Sequence, residues 1–221
     1  MQTFATTAPI TTVVDIPAGR VQLIAAERAD ATVEVRPADA GKSRDVKIAE
    51  QTTVSYADGV LRIEAKGKNQ ILGSSGSLEI TVQLPAGSAV QVKAASADFR
   101  AVGRFGDITL DGAHGPAKID EATGVQVTTQ AGDIAIGRLN GPAEITTAQG
   151  DITIAEAHRG ALTLTTQAGN ITVDAAAGVS ATLDAGTTVG RINNTLKNAD
   201  SSPELTIRAT TTQGDITARS L

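Results

Sequence analysis

The sequence predicts an all-β chain: a flattened β-solenoid, or parallel β-helix, preceded by an irregular N-terminal β region. Three observations lead there. A Gly-[Asp/Asn]-Ile corner recurs at Gly106-Asp107-Ile108, Gly132-Asp133-Ile134, Gly150-Asp151-Ile152, Gly169-Asn170-Ile171 and Gly214-Asp215-Ile216, with a degenerate copy at Gly190-Arg191-Ile192. The intervals of 26, 18, 19, 21 and 24 residues between these glycines mark a repeat architecture. Short runs of strict apolar/polar alternation lie between the corners, which is the period of a half-buried strand. Finally, aromatic residues make up only 2% of the chain, as Phe4, Tyr56, Phe99 and Phe105, so the core must be built from Ile, Val, Leu and Ala. Side chains of that size suit a narrow, layered interior.

Taken in order, residues 1–92 carry strand patterns without a fixed period. They are Thr11–Ile16, Arg20–Ala26, Ala31–Pro37, Asp45–Ala49, Thr52–Tyr56, Val60–Ala65 and Ser77–Leu84. Breakers separate them, among them Pro17-Ala18-Gly19 and Gly73-Ser74-Ser75-Gly76. Tyr56-Ala57-Asp58-Gly59-Val60 has the form of a hairpin turn. Residues 66–77, with three Gly and three Ser, read as a flexible loop. The unit Pro-Ala-Gly followed by a Val-Gln strand occurs twice, at Pro17 and Pro85, which ties this half to the same sheet system. No window shows a capped 3.6-residue period, so no helix is expected.

Residues 93–221 hold the regular coils. One wall is expected to stack Ile108, Ile134, Ile152, Ile171, Ile192 and Ile216 in sequence order, with Ile134, Ile136, Ile152, Ile154, Ile171 and Val173 as the core ladder. The opposing wall takes Val125–Val127, Ala143–Ile145, Leu162–Leu164, Ala181–Leu183 and Leu205–Ile207. Thr109, Thr153, Thr163 and Thr172 fall on the outward register. The longer interval after Gly106 carries additional strand-like material at residues 115–122, so the first regular coil is larger or contains a third strand, and Asn193 to Pro203 reads as a bulge or surface loop. The two regions, 1–92 and 93–221, form one structural unit in this reading, the first capping the second.

This arrangement resembles a bacterial domain-of-unknown-function family of adhesin-like proteins (DUF4097-like) that carries the same Gly-Asp-Ile/Val repeats. The Pro-Ala-Gly bends and Ala57-Asp58-Gly59-Val60-Leu61 extend the resemblance over nearly the whole chain. It implies an exported or membrane-attached binding role. In architecture alone the repeats are also similar to bactofilins, cytoskeletal β-helix proteins that polymerise end to end.

Composition narrows the function classes. Net charge is -5, and the excess lies after residue 100, where thirteen acidic side chains face eight basic ones. A mildly acidic surface without a Lys/Arg cluster argues against nucleic acid and against anionic membrane as partners. There is no cysteine, hence no disulfide and no thiolate metal site. No basic segment followed by an apolar run opens the sequence, and no apolar run of spanning length occurs. A cytoplasmic location without membrane insertion is the expectation, or an envelope or surface location for a trimmed precursor.

The most regular polar feature is the row Asp107, Asp133, Asp151 and Asp215, with Asn170 among them. Asx side chains cap tight turns by accepting from nearby backbone amides, and that is the expected role. The rival is a divalent-cation ladder, but each corner supplies one carboxylate and Arg191 interrupts the row. Gly106, Gly132, Gly150, Gly169, Gly190 and Gly214 are expected at structural corners. His114 and His158 read as exposed corner residues, although His158 with Glu156 and Asp151 has the composition of an acid–base set. No Gly-x-Ser-x-Gly elbow is present, and the absence of Trp removes the platform that sugar-cleaving β-helices use. No catalytic residue and no cofactor are therefore expected. The chain reads as a non-catalytic scaffold or binding module for a protein or glycan, forming homo-oligomers through the C-terminal coil at Ile216. An envelope adhesin-like module is the alternative and a polysaccharide-active enzyme the third reading.

Overall fold

The computed structural model describes residues 1–65, 76–198 and 202–221, so the loop expected at 66–77 lies almost wholly outside the described residues. The chain gathers into two compact units, Met1–Gly115 and Pro116–Leu221.

The first unit contains β1 (Gln2–Ala5), β2 (Thr11–Ala26), β3 (Asp30–Pro37), helix α1 (Ser43–Gln51), β4 (Thr53–Ala57), β5 (Val60–Glu64), β6 (Leu78–Pro85) and β7 (Ala89–His114). β2 is long because it runs through the Pro17-Ala18-Gly19 bend and serves two walls. Its first half lies parallel between β5 and β7, and its second half lies parallel between β6 and β7. The first strand of the coil system thus sits in the middle of the stack. Core rows follow directly from that register: Val14 lies between Ile63 and Val92, and Val21 between Ile80 and Phe99. β3 covers β6, β1 covers β3 and β4 covers β5, all antiparallel. The β4–β5 turn places Asp58 and Gly59 at φ 51° and 74°, the left-handed conformation that a tight hairpin turn requires.

Helix α1 corrects the strand expected at Asp45–Ala49. The alternation of Val46 and Ile48 imitates a strand, yet Asp45 and Ile48, three residues apart, are the two buried positions, which is helical spacing. Lys47, Ala49, Glu50 and Gln51 are all good helix formers. The buried Asp45 carboxylate accepts a hydrogen bond from the Ser77 backbone N–H at 2.9 Å. Such tertiary partners are invisible in a short sequence window.

The second unit is a two-walled parallel coil. Its strands are β8 (Ala117–Ala131), β9 (Ile134–Leu139), β10 (Ala143–Gln149), β11 (Ile152–Ala157), β12 (Gly160–Ala168), β13 (Ile171–Ala175), β14 (Ala181–Val189), β15 (Ile192–Thr195), β16 (Leu205–Gln213) and β17 (Ile216–Ser220). The stretch around Lys118 that reads as an additional strand is the first wall segment of β8, with Ala117 opposite Ile134 and Ile119 opposite Ile136. One wall then stacks β8, β9, β11, β13, β17 and β15, and the facing wall stacks β8, β10, β12, β16 and β14. The order is not that of the sequence. The chain leaves β13, skips one layer to lay down β14 and β15, and returns to fill the skipped layer with β16 and β17. The isoleucine column consequently runs Ile134, Ile152, Ile171, Ile216, Ile192. A neighbouring column narrows along the stack through Ile119, Ile136, Ile154, Val173 and Ala218 to the polar Asn194. Ile134, Ile136, Ile152, Ile154, Ile171 and Val173 are all buried. Of the threonines read as outward, Thr153 and Thr163 are exposed and Thr109 and Thr172 half-buried.

Candidate functional site

Two features of the second unit bear on function: the corner ladder that sets the register of the layers, and the layer at which the stack ends.

At each corner the sequence reads Thr-x-x-Gly followed by Asp, Asn or Arg, beginning at Thr129, Thr147, Thr166, Thr187 and Thr211. The Asx side chain bonds the next layer and not its own turn. Asp133 Oδ1 accepts from Asp151 N–H (2.9 Å), Asp151 Oδ1 from Asn170 N–H (2.7 Å), Asn170 Oδ1 from Asp215 N–H (2.9 Å) and Asp215 Oδ1 from Arg191 N–H (2.8 Å). Capping of a nearby amide within the same turn, as expected from the sequence, is thereby corrected to capping between layers. Arg191 carries no acceptor and ends the ladder in the outermost layer. Asp107 lies in the first unit, exposed, outside this ladder.

The glycines allow the layers to close up. Gly150 has φ 137°, and a Cβ there would lie 2.3 Å from the Gly132 carbonyl oxygen. Equivalent contacts of 2.0, 2.0 and 1.9 Å would arise at Gly169, Gly214 and Gly190. Gly106, in the first unit, meets the Gly87 carbonyl in the same way at 2.8 Å. The threonines add a second set of bonds: Thr166 donates to the Gly150 carbonyl (3.1 Å), Thr211 to Gly169 (3.0 Å) and Thr187 to Gly214 (3.0 Å). Thr129, Thr147, Thr166 and Thr211 are buried, unlike the threonines that alternation places outside. Sequence reasoning missed this row, though the constant Thr-x-x-Gly spacing was available to find it.

Among the described residues no group of three or more His, Asp or Glu side chains is placed to share a metal ion. His158 and Glu156 come together, with Nε2 3.2 Å from Oε1, but among the described residues Nε2 has no partner aligned for a hydrogen bond. Arg138 takes the other carboxylate oxygen through Nε (2.9 Å) and an Nη (2.8 Å). That hydrogen bond, reinforced by the Arg138 charge and by His158, holds the Glu156 carboxyl below its ordinary value of 4.5. A carboxylate stabilised in its ionised form by an arginine is a weak proton acceptor. Asp151, the third member of the set read from the sequence, is engaged in the corner ladder instead. His114 is exposed at the end of β7 in the first unit and has no part in this group.

The end of the stack lies elsewhere than expected. Ile216 is 1% exposed and sits between Ile171 and Ile192, so it is an interior residue and not an association edge. β17 is fastened on one side by Arg219, whose Nε and an Nη donate to Asp174 at 2.8 and 2.7 Å. The outermost layer is β14 and β15. β14 pairs only with β16 and β15 only with β17 among the described residues. Here the stack meets solvent: Ile192, which ends the isoleucine column, is 47% exposed, Val189, at a corner position in register with Gln213, is 63% exposed, and every residue of β15 is exposed. The unpaired edge presents backbone donors and acceptors beside an apolar surface.

The sequence profile of the Toastrack DUF4097 family matches residues 13–220. The chain belongs to this family. Its members' β-solenoid-like fold agrees with the two-walled coils described above. No curated protein matches the chain. Among solved structures it is similar to a "putative cell adhesion protein" from Clostridium sporogenes, at 11% identity and TM-score 0.44, covering 100% of this chain and 98% of the other. It is also similar to a "putative adhesin" from Bacteroides fragilis, at 11% identity and TM-score 0.47, covering 98% and 95%. A protein of the same description from Parabacteroides distasonis matches at 14% identity and TM-score 0.38, again covering 98% and 95%.

Proposed function

We propose that this Toastrack DUF4097 chain is a non-catalytic scaffold or binding module that self-associates through its outermost layer, β14 and β15. The observation that carries the reading is the open edge of that layer, where Val189 and Ile192 are exposed beside unpaired strand backbone. Such an edge recruits another strand unless it is blocked, and β14 carries a single charge, Asp184, already engaged by Arg208 at 3.3 Å. Catalysis is disfavoured by the pairing of Glu156 with Arg138, and a sugar-cleaving site by the lack of any aromatic residue after Phe105.

Size-exclusion chromatography with light scattering over a tenfold range of concentration tests this. The wild-type mass should rise above 22.4 kDa with concentration, and Ile192→Lys should hold the chain at that mass. A wild-type chain that stays monomeric throughout removes the reading.

The second reading is an envelope or surface adhesin-like module. It is favoured by the outward row Thr128, Thr146, Thr165 and Thr210, which the register sets side by side as a regular hydroxyl surface. Residence at the envelope belongs with that reading. No helix among the described residues is long and apolar enough to cross a membrane.

A further inference from the structure

The end layer also constrains the partner that can complete it, and the inference here rests on the reading that this layer is the contact surface. A head-to-tail neighbour would have to offer β14 a strand of comparable length. In the first unit the strands that close the stack on the β5/β6 side are β1 and β4, four and five residues long and antiparallel to their neighbours. Neither matches the nine residues of β14. The strand that does match β14 in length is β14 of another copy.

We propose that a second copy of this chain completes the layer, its β14 running antiparallel to the first about a two-fold axis at Gly186. Pairing of this kind closes the assembly at two copies. The register follows from three features of β14. Ala181 is unavailable, because its N–H already donates to the Lys197 carbonyl at 3.1 Å, so pairing begins beyond it. An axis at Gly186 sets the half-buried Leu183 opposite Val189 of the second copy, and by symmetry does so twice, covering an apolar side chain that is 63% exposed in the isolated chain. The same axis sets Asp184 against the Thr188 hydroxyl. An axis at Asp184 would instead put two carboxylates directly opposite one another, which is destabilising across a strand pair. Leu183, Ala185 and Thr187 lie in register with the buried Ile207, Ala209 and Thr211 and so face inward on both copies, which continues the core columns across the pair, while Val189, in register with the exposed Gln213, lies at the corner. The facing strand β15, with Ile192 exposed, comes to the same junction.

The absence of cysteine makes the register directly measurable. A Cβ at Gly186 would meet no atom within 4 Å, so Gly186→Cys is accommodated. Directly opposed residues of an antiparallel pair have Cα atoms about 5.5 Å apart or less, within the span of a disulfide. Mild oxidation of Gly186→Cys should therefore give a covalent species of twice 22.4 kDa, while Thr182→Cys, four residues from the axis, stays uncoupled. Three results overturn the proposal: wild-type association without a Gly186→Cys disulfide, equal coupling of both variants, or light-scattering masses that grow beyond two copies. All three leave the self-association reading standing. A wild-type chain that never associates, together with an uncoupled Gly186→Cys, removes both.

Discussion

Thr12 lies in β2 between Leu61 and Val90, fully buried, and its hydroxyl has no hydrogen-bond partner among the described residues. A buried hydroxyl left unpaired costs on the order of 1–3 kcal/mol, whereas valine fills nearly the same volume with no polar atom. Thr12→Val is accordingly expected to stabilise the fold by about 1 kcal/mol, read as a rise in the urea midpoint at constant slope. A lower midpoint would mean that the hydroxyl is satisfied. The buried threonines of the corner ladder behave oppositely, because Thr166 and Thr211 both donate to glycine carbonyls. Residue type and alternation do not separate the two kinds. The Asx positions were legible as a row because they recur with the glycines, but their partners were not, since the acceptor-to-donor step runs between layers 18 to 45 residues apart in sequence.

Individual strands were the most legible level. Period-two alternation located the strands of both walls, and it also fixed which side of each faces the core. Ile152 in β11 is fully buried between Ile134 and Ile171, while Thr153 beside it is exposed. Ile152→Asp should abolish folding of the unit, because a carboxylate would enter a buried aliphatic column between Ile134 and Ile171. Thr153→Asp should change stability by less than about 1 kcal/mol. Chemical denaturation of the two variants checks the register, and equal effects would refute it. The same alternation failed at Asp45–Ala49, where two apolar residues at spacing two belong to a single helical turn and burial was decided by the packing of α1 on β3 and β6.

At the scale of the whole chain, the feature that sequence could not supply is the order of the layers. Most repeats present the same Gly-Asx-Ile corner and similar aliphatic columns, and only the β14/β15 repeat departs from them, with Arg191 and Asn194. Local pattern therefore specifies a coil without specifying its neighbours. The structure places both an early strand and the last two strands in interior layers: β2 between β5/β6 and β7, and β16/β17 between β12/β13 and β14/β15. In a solenoid stacked in sequence order, removing the final coil would trim one end and leave the rest paired. Among the described residues β14 and β15 have no strand partners other than β16 and β17, and the corner bond from Arg191 goes to Asp215. Deleting residues 205–221 should thus release β14 and β15 as well, and the truncated chain should lose the strand signal of four strands, not two. Hydrogen exchange reads this directly. Amides of β14 and β15 should exchange as in an unfolded chain after the deletion, while those of β9 to β11 remain protected. Continued protection of β14 and β15 would show that the end layer can dock onto β12 and β13 without the coil between them, and would overturn the layer order as the source of its stability.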